Sequence, residues 1–373
     1  MIDLNKVLNF YYGWWKNIDK FILFLILSLF SLGLFFSLVS TSIIASDKLN
    51  TNTYYFFIKH LFFIILAVLI LVIFSAVNQK KLFQISKYLF FISLIFLALV
   101  PFIGVEVKGS MRWIDLPLIP RFQPVEILKP FLIIVISSVF ALNNQKNIYF
   151  KYLFSFLIIF PVILFLISQP DIGQTVLVVL TWFSLIFVSG INLLFFLSFF
   201  ALTFSILIYS ILYVAKFEYI KRRLLSFLDP NSGNSYQSER ASEAISNGGF
   251  FGQGIGEGTL NSKVPEAHTD YIISVISEEF GVIIVLVIMA IFLIFSYNII
   301  KKINKENDDK VKLTLIGIVT IILFQTFIHI GVNIRLLPTT GMTLPFLSYG
   351  GSSIISTAIL SGIILNLTKR KVS

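Results

Sequence analysis

Long apolar runs constrain the fold of this chain more than any other feature of its sequence. A membrane-spanning helix needs about 20 mostly apolar residues. The fifth to seventh runs are separated only by Gln169-Pro170-Asp171 and Gly190-Ile191-Asn192, whose Pro, Gly and Asn residues end helices. The ten qualifying runs are, approximately, 21–45, 54–77, 84–105, 125–142, 151–168, 172–190, 192–215, 271–297, 311–330 and 345–367. The pattern predicts an all-α polytopic membrane protein with ten transmembrane helices.

The composition agrees with this class and excludes several kinds of chemistry. Hydrophobic residues make up 57% of the chain, and the mean hydropathy is +0.91. Charged residues make up 13%, whereas a soluble domain carries about 25%. The chain has no Cys, which excludes disulfides, thiol catalysis and cysteine metal sites. Its three His residues, His60, His268 and His329, are too far apart in sequence to form a recognisable zinc motif. No protein metal site is therefore predicted.

The basic residues orient the helices. Lys and Arg outnumber Asp and Glu by 29 to 19. In a soluble chain this excess would suggest nucleic acid, but in short membrane loops Lys and Arg mark the cytoplasmic side. Sixteen of them lie on one side, at 6–20, 80–87, 146–151, 301–312 and 369–371. The short loops of the other side hold five, which are Lys48, Lys108, Arg112, Arg121 and Arg335. We expect no nucleic-acid partner, both termini in the cytoplasm, and one integral membrane domain over 1–373.

Segment 216–270 is then a large extracytoplasmic loop between the seventh and eighth helices. Residues 216–228 predict a basic amphipathic helix on the outer face, which would be suited to anionic headgroups or serve as a plain interfacial anchor. A turn at 229–233 and a short polar helix at 236–245 follow. The Gly-rich stretch 248–258 lacks the Gly-Lys-Ser/Thr of a phosphate loop and follows no predicted strand. It is interpreted as tight turns that return the chain to the membrane.

The stretch from Pro265 to Gly281 carries the clearest candidate for chemistry. As one helix, it places Asp270, Ser274, Ser277, Glu278 and Gly281 on a single side, with apolar residues on the other. Carboxylates at the entrance to a membrane helix are costly unless they face protein or water, which makes them a functional-site hypothesis. A polar packing seam between helices is the alternative.

Two more polar stretches reach the same outer face. In 108–130, Pro124 is placed to begin the fourth membrane helix, and Glu126 and Lys129 lie three residues apart on one face of it. They form either part of a site or a structural ion pair. The stretch 336–353 has a run of Gly and Ser residues that allows close helix packing. The convergence of three polar stretches on one face favours a site.

At these residues the chain resembles the FtsW/RodA family, also called SEDS proteins. The resemblance runs along nearly the whole chain. It rests on Arg112-Trp113, Gln123-Pro124 with Glu126 and Lys129, Gln169-Pro170-Asp171-Ile172-Gly173, Pro265 through Gly281, and Leu337 through Ser353. It is greater for the division branch, FtsW, than for the elongation branch, RodA, at residues 265–270 and 339–345. Departures are Tyr271 for a usual Phe, Lys59-His60 for a more usual Arg-bearing pair, and His329 for a common Asn.

The resemblance implies a ten-helix peptidoglycan glycosyltransferase that polymerises lipid II, an undecaprenyl-diphosphate-linked disaccharide-pentapeptide, for septal cell-wall synthesis during cell division. It implies a multi-pass protein of the bacterial cytoplasmic (inner) membrane with its active site on the periplasmic face. The implied partners are a class B penicillin-binding protein, which is a transpeptidase, and other division proteins. The implied catalytic residue is Asp270.

The chemistry of such a transfer assigns roles to the candidates. The acceptor hydroxyl needs a general base, which Asp270 can supply, and the departing diphosphate needs positive charge. Arg112 and Lys129 are the candidates for that charge, and a divalent cation (Mg²⁺ or Mn²⁺) is a candidate cofactor. Glu126 would hold Lys129 in place. The other candidate substrate-binding residues are Trp113, Gln123, Asp171, Glu266, His268 and Ser348. For Glu266 and His268 a role in shaping the loop is an equal alternative, and for Asp171 we expect helix capping first.

Two other functions remain open at this point. One is a transporter, such as a lipid II flippase, which would be expected to show inverted repeats and a charged site near the bilayer midplane. The sequence shows no internal repeat, and its charged motifs lie at the outer helix ends. The other is a non-catalytic scaffold of a cell-wall complex.

Overall fold

The computed structural model describes residues 12–41, 54–107, 110–117, 119–142, 148–214, 217–228 and 236–369. The turn predicted at 229–233 and several basic residues used for orientation lie outside these ranges; those residues are Lys6, Lys48, Lys108, Lys146, Arg370 and Lys371. The main helices are α1 (Lys20–Phe36), α2 (Tyr55–Ala76), α3 (Gln79–Ile103), α4 (Pro124–Phe140), α5 (Ile148–Ser168), α6 (Ile172–Val188), α7 (Leu193–Tyr213), α8 (Glu218–Leu228), α9 (Tyr236–Gly248), α10 (Ile272–Ile303), α11 (Asp309–Asn333) and α12 (Gly351–Leu367). Each of the ten apolar runs coincides with one of these helices.

Within the described ranges, seven helices are long and apolar enough to cross a membrane by themselves: α1, when it is counted to Val39 with the π-helical turn that follows it, and α2, α3, α5, α7, α10 and α11. The helices α4, α6 and α12 have 17 residues each, which is just below that length. In a bilayer every backbone polar group must find its partner within the protein, and a helix satisfies this requirement locally. The predicted class, a helical polytopic membrane protein, is confirmed.

The bundle has a buried centre and an apolar periphery. Side chains of α4, α11 and α12 are buried almost along their whole length. Helix α2 packs along α12, α3 packs along α4, and α11 contacts α4, α6 and α10. In contrast, α7 has one buried residue, Ile211. Because its exposed side chains are apolar, that surface suits lipid rather than water.

A small antiparallel sheet connects α3 to α4. Its strands are β1 (Gly104–Val107), β2 (Ser110–Leu116) and β3 (Ile119–Phe122), in the order β1-β2-β3. Ile114 pairs with Gly104 on one side and with Phe122 on the other. The sequence analysis did not anticipate these strands, because runs of four, seven and four residues are too short to show a clear period of two. Pro124 then begins α4 at its first turn, as predicted.

Two helix boundaries differ from the prediction in ways that matter for the site. Helix α12 begins at Gly351 rather than near 345, and residues 342–348 form a largely buried irregular segment. Phe346 in this segment has φ +68°, a left-handed conformation that a continuous helix does not allow. The second difference is that 265–271 is a series of turns and α10 begins only at Ile272.

Helix α10 is also interrupted. Gly281 has φ +82° and ψ 167°, a conformation open essentially only to glycine. Backbone groups on both sides of this kink bond to the Gly-rich turn 249–254, so the turn clamps the kink. The four hydrogen bonds run from the N–H of Gln253 to the Glu278 carbonyl (2.8 Å), Gly254 to Glu279 (3.1 Å), Val282 to Gly249 (3.0 Å) and Ile283 to Phe250 (3.4 Å).

The segment between α7 and α10 contains the two helices predicted for it, α8 and α9. Helix α9 packs against α10 through Ala241 and Ala244, which are fully buried. The segment is therefore joined to the bundle by α9 and by the clamp on the α10 kink.

Candidate active site

One polar cavity of about 450 Å³ lies where the polar stretches of the sequence meet. Its walls come from β1 and β2, the turns before α10, the starts of α4, α6 and α12, the helices α8 and α9, the end of α11, and the loop 339–343. Of the residues proposed from sequence, six line it: Arg112, Trp113, Gln123, Glu126, Glu266 and Asp270. Lys129, Asp171, His268 and Ser348 do not line it.

Asp270 reaches the cavity from the turns that precede α10. Glu266 has φ +52°, and its carbonyl accepts hydrogen bonds from the N–H groups of Thr269 and Asp270, both at 3.1 Å. This turn places Asp270 two residues before the helix, where the helix dipole favours an anion. Asp270 is half-buried, and its Oδ2 faces Gly341 of the loop 339–343.

The interpretation of 265–281 as one helix with a single polar stripe is wrong. The segment from Ile272 to Glu279 is buried on all sides, and its polar groups serve different partners. Glu278 Oε1 accepts from the N–H of Leu260 (2.8 Å) and from Asn247 Nδ2 (2.9 Å). Asp270 alone of the proposed carboxylate stripe lines the cavity. Thus Glu278 attaches the outer segment to α10, and Asp270 is the member of the stripe that reaches the cavity.

Ser348 and His268 support the Asp270 turn from behind. The hydroxyl of Ser348 donates to the Thr269 carbonyl (2.7 Å), and the N–H of Tyr349 donates to the His268 carbonyl (3.0 Å). The His268 ring packs on Phe56, with centroids 4.9 Å apart. These contacts join 268–270 to the irregular segment before α12.

Arg112 lies on β2 beside the break between α5 and α6. Its guanidinium donates to the carbonyls of Gln169 (3.4 Å) and Pro170 (2.5 Å), and it lies 3.6 Å from Asp171 Oδ1. Asp171 caps α6, accepting from the N–H of Gln174 (3.4 Å), as predicted. Burial raises the pKa of Asp171, and the positive charge of Arg112 opposes that effect. Gln123 Nε2 also donates to Asp171 (2.8 Å), so Asp171 holds two cavity-lining side chains in place.

Glu126 and Lys129 form a buried ion pair, with 2.8 Å between Lys129 Nζ and Glu126 Oε1. Gln174 Nε2 donates to the same oxygen (2.7 Å), and Lys129 Nζ donates to Gln325 Oε1 (3.3 Å). Glu126 lines the cavity, whereas Lys129 is 1% exposed and lies behind it. Lys129 can therefore influence the cavity through Glu126 rather than by direct contact.

The sequence analysis missed Arg223. This residue of α8 lines the cavity, and its Nη1 donates to the Thr339 carbonyl (3.1 Å). Burial raises the pKa of the neighbouring Tyr271 phenol, the negative charge of Asp270 adds to this rise, and Arg223 opposes it. Lys221, Arg222 and Arg223 are consecutive, so at 100° per residue one of them had to turn away from the face of the others. That spacing was the signal for an inward-facing cation.

Other residues that the sequence analysis missed also line the cavity, among them Gln174, Gln237, Thr269, Tyr271, Thr340 and Ser353. Gln174 follows directly after Gln169-Pro170-Asp171-Ile172-Gly173, and Ser353 ends the stretch already recognised as polar. Within the described ranges, no group of three or more His, Asp or Glu side chains is arranged to hold a metal ion.

The comparisons with known proteins identify the family. Residues 20–372 match the family model for FtsW, RodA and SpoVE, described as cell cycle proteins. The probable peptidoglycan glycosyltransferase FtsW of Caulobacter vibrioides is 30% identical, over 96% of this chain and 91% of that protein. A protein of the same description from Francisella salina is 35% identical, over 94% of this chain and 89% of that protein.

Solved structures share the fold. A chain from a peptidoglycan synthase complex, described as coordinating polymerization and crosslinking, superposes with a TM-score of 0.77 at 25% identity, over 94% of this chain and 97% of that one. The rod shape determining protein RodA of Thermus thermophilus superposes with a TM-score of 0.68 at 24% identity, over 94% of this chain and 96% of that one. On its match to the family model over nearly its whole length, this chain is an integral membrane protein of the FtsW/RodA family.

Proposed function

We propose that this protein is a peptidoglycan glycosyltransferase that polymerises lipid II into glycan strands for septal wall synthesis. The observation that carries the proposal is that Asp270 lines the same polar cavity as two guanidinium groups, Arg112 and Arg223. A carboxylate beside fixed cations suits a transfer in which a proton is removed from one substrate and a diphosphate leaves the other. The names of the relatives support the same activity, and the description of the family as cell cycle proteins supports the role in division.

In the proposed reaction the acceptor's 4-hydroxyl attacks the anomeric carbon of the donor, and the bond from that carbon to the lipid diphosphate breaks. Asp270 accepts the hydroxyl proton. A free Asp has a pKa of about 3.9 and is a weak base, so its contribution depends on position and on acting late, as the new bond makes the hydroxyl more acidic. Arg112 and Arg223 stabilise the charge on the departing diphosphate. Glu126, held by Lys129, orients the acceptor or donor sugar from the opposite wall.

Apolar cavities on either side of the polar one support lipid-linked substrates. A cavity of about 290 Å³ between α2, α3 and α4 shares Ser352 with the polar cavity. Another of about 350 Å³ between α6, α7 and α11 shares four lining residues with the polar cavity, which are Arg112, Arg223, Thr339 and Thr340. Prenyl chains that stay in the bilayer could lie in such cavities while the sugars and diphosphate enter the polar one.

The proposal includes an arrangement in the membrane. The chain is one domain whose ten apolar helices all cross the bacterial cytoplasmic membrane, with both termini in the cytoplasm and the cavity on the periplasmic face. The sixteen-to-five charge bias supports this orientation. A class B penicillin-binding protein is the proposed partner, since one structural relative comes from a complex that couples polymerization to crosslinking. Other division proteins are proposed as further partners.

The test uses the full-length chain in detergent and in liposomes, alone and with a class B penicillin-binding protein. Fluorescent lipid II is the substrate, assayed with Mg²⁺, with Mn²⁺ and with a chelator. Glycan ladders in any of these conditions support the polymerase. Movement of lipid II across the liposome membrane without glycan ladders would identify a flippase instead. If neither ladders nor movement were seen in any condition, the result would indicate a non-catalytic scaffold.

A further inference from the structure

Three polar residues form a ladder along one face of the central helix α11. Gln325, His329 and Asn333 are spaced by four residues, so they lie above one another on that face. His329 and Asn333 are almost fully buried, and Gln325 is 6% exposed. Polar groups buried in a membrane protein are costly unless they are hydrogen-bonded, and each of these side chains bonds to a segment that forms the cavity.

Asn333 uses its whole amide. Nδ2 donates to the Asp270 carbonyl (3.1 Å) and to the His329 carbonyl (2.8 Å). Oδ1 accepts from the hydroxyl (2.7 Å) and the N–H (3.3 Å) of Ser274. The amide therefore joins α11 to the last turn before α10 and to the first turn of α10.

The other two members of the ladder hold the opposite wall. His329 Nδ1 lies 2.8 Å from the Met342 carbonyl, which can only accept, so this nitrogen carries the proton and donates. Gln325 Nε2 donates to the Thr343 carbonyl (2.9 Å). Gly341, which precedes these two residues, is the one facing Asp270 Oδ2. One helix face thus sets the distance between Asp270 and the loop across from it.

We propose that Asn333 is the positioning residue for Asp270: through the Asp270 carbonyl it holds the carboxylate at the reacting position relative to the loop 339–343. This inference rests on the proposed function, because it assigns Asn333 a part in that reaction. A displacement of about 1 Å at a catalytic group can lower a rate by roughly 100-fold. A residue that acts in this way changes kcat, since substrate contacts elsewhere in the cavity survive.

The test compares Asn333→Leu with Asn366→Leu in the full-length protein, under whichever condition lets the wild type polymerise. Asn366 is the matched control because it is a buried Asn whose Nδ2 donates to the carbonyls of Phe74, Ser75 and Val77, and it lies outside the cavity lining. Both changes leave buried carbonyls without a donor, so both should lower the thermal unfolding midpoint. We expect Asn333→Leu alone to lower kcat by about 100-fold with KM for lipid II within about twofold.

Ser274→Ala serves as the second variant, because it removes one anchor of Asn333 and deletes a single buried hydroxyl. We expect a kcat reduction of about tenfold, and this variant decides the question if Asn333→Leu does not fold. The inference would be overturned if, per folded molecule, Asn333→Leu had the same kcat as Asn366→Leu and Ser274→Ala had the same kcat as the wild type. A wild type without polymerase activity, or an Asp270→Asn variant as active as the wild type, would instead contradict the proposed function or its catalytic residue.

Discussion

Individual residues of the cavity owe their geometry to partners that are distant in sequence. Asp270 is held by Glu266, by Asn333 and, through the Thr269 carbonyl, by Ser348, and Glu126 is held by Lys129 and Gln174. Each partner either satisfies a buried polar group or neutralises a charge, without which burial would cost several kcal/mol. Single substitutions can therefore distinguish residues that contact the substrate from residues that keep those residues in position.

Asp270→Asn keeps the shape of the side chain and removes its basicity. We expect polymerisation to fall by about two to four orders of magnitude, the usual contribution of a general base. The measurement is glycan yield from purified protein, normalised to folded material. Asp115→Asn is the control, because Asp115 is an exposed carboxylate on β2 that pairs with Arg121 and lies outside the cavity lining. Equal yields from wild type and Asp270→Asn would mean that Asp270 is structural.

Lys129→Met should destabilise the protein by about 3–5 kcal/mol, because it leaves Glu126 buried without its counter-ion. The double variant Lys129→Met with Glu126→Gln removes both charges, so we expect it to recover much of that loss. Thermal unfolding in detergent gives the stabilities. We further expect the stable double variant to remain severely impaired in polymerisation. Near-normal turnover in it would show that the pair serves folding only.

Arg223→Gln tests the cation that the sequence analysis missed. Because Arg223 lines the cavity, we expect kcat/KM to fall by roughly 10- to 100-fold, which corresponds to one lost charge-assisted contact of about 1.5–3 kcal/mol. Arg222→Gln is the matched control, since the neighbouring Arg222 is exposed and pairs with Glu218. Equal kcat/KM values for lipid II in the two variants would mean that Arg223 does not act on the substrate and that α8 serves only as a surface anchor.

At the scale of elements, the kink in α10 decides where the site lies. The nine residues from Ile272 to Phe280 form a half-helix, nearly all of it buried, and Asp270 lies in the turn just before its start. Beyond Gly281 the helix becomes an apolar span with many exposed side chains. The Gly-rich turn bonds to the backbone groups released at this break, so a stretch interpreted from sequence as simple turns has a defined structural role.

Gly281→Ala should unfold or severely destabilise the protein. An added Cβ would meet the Phe250 backbone, and φ +82° is itself strained for Ala, so we expect a loss above about 4 kcal/mol. Gly190→Ala is the matched control, with φ +90° and no atom within 4 Å of the added Cβ. It carries only the strain, about 1–2 kcal/mol. Thermal unfolding midpoints in detergent distinguish the two variants. Equal midpoints would show that the Gly-rich turn moves aside to accommodate the added Cβ without a loss of stability.

At the scale of the whole molecule, the charge bias predicts which ends of the helices face outward. The natural chain has no Cys, so single Cys residues can report topology without further changes. Glu257 and Lys305 are both exposed, the first beside the Gly-rich turn and the second between α10 and α11.

We expect a membrane-impermeant thiol reagent to label Glu257→Cys in intact spheroplasts and to label Lys305→Cys only after permeabilisation. The physical reason is that Lys and Arg in short loops remain on the cytoplasmic side. Labelling of both variants after permeabilisation is the control for access. The reverse pattern in intact spheroplasts would place the cavity on the cytoplasmic face and contradict the proposed orientation.

The sequence alone determined the helical membrane class, the approximate positions of the apolar helices and most of the polar stretches that line the cavity. It could do so because an apolar helix satisfies its own backbone hydrogen bonds, so that local hydropathy is enough to predict it. The capping of α6 by Asp171, the start of α4 at Pro124 and the pairing of Glu126 with Lys129 were likewise accessible, since each depends on residues only a few positions apart.

Only the tertiary structure decided which of these polar residues share the cavity. The start of α10 at Ile272, after the turns 265–271, separates Asp270 from Glu278, the burial of Lys129 places it behind Glu126, and the packing of α8 turns Arg223 inward. The sheet was missed because its strands are too short to show a clear period of two. For the cavity residues and the ladder on α11, the deciding contacts join different segments of the chain, and neither periodicity nor hydropathy contains information about such contacts.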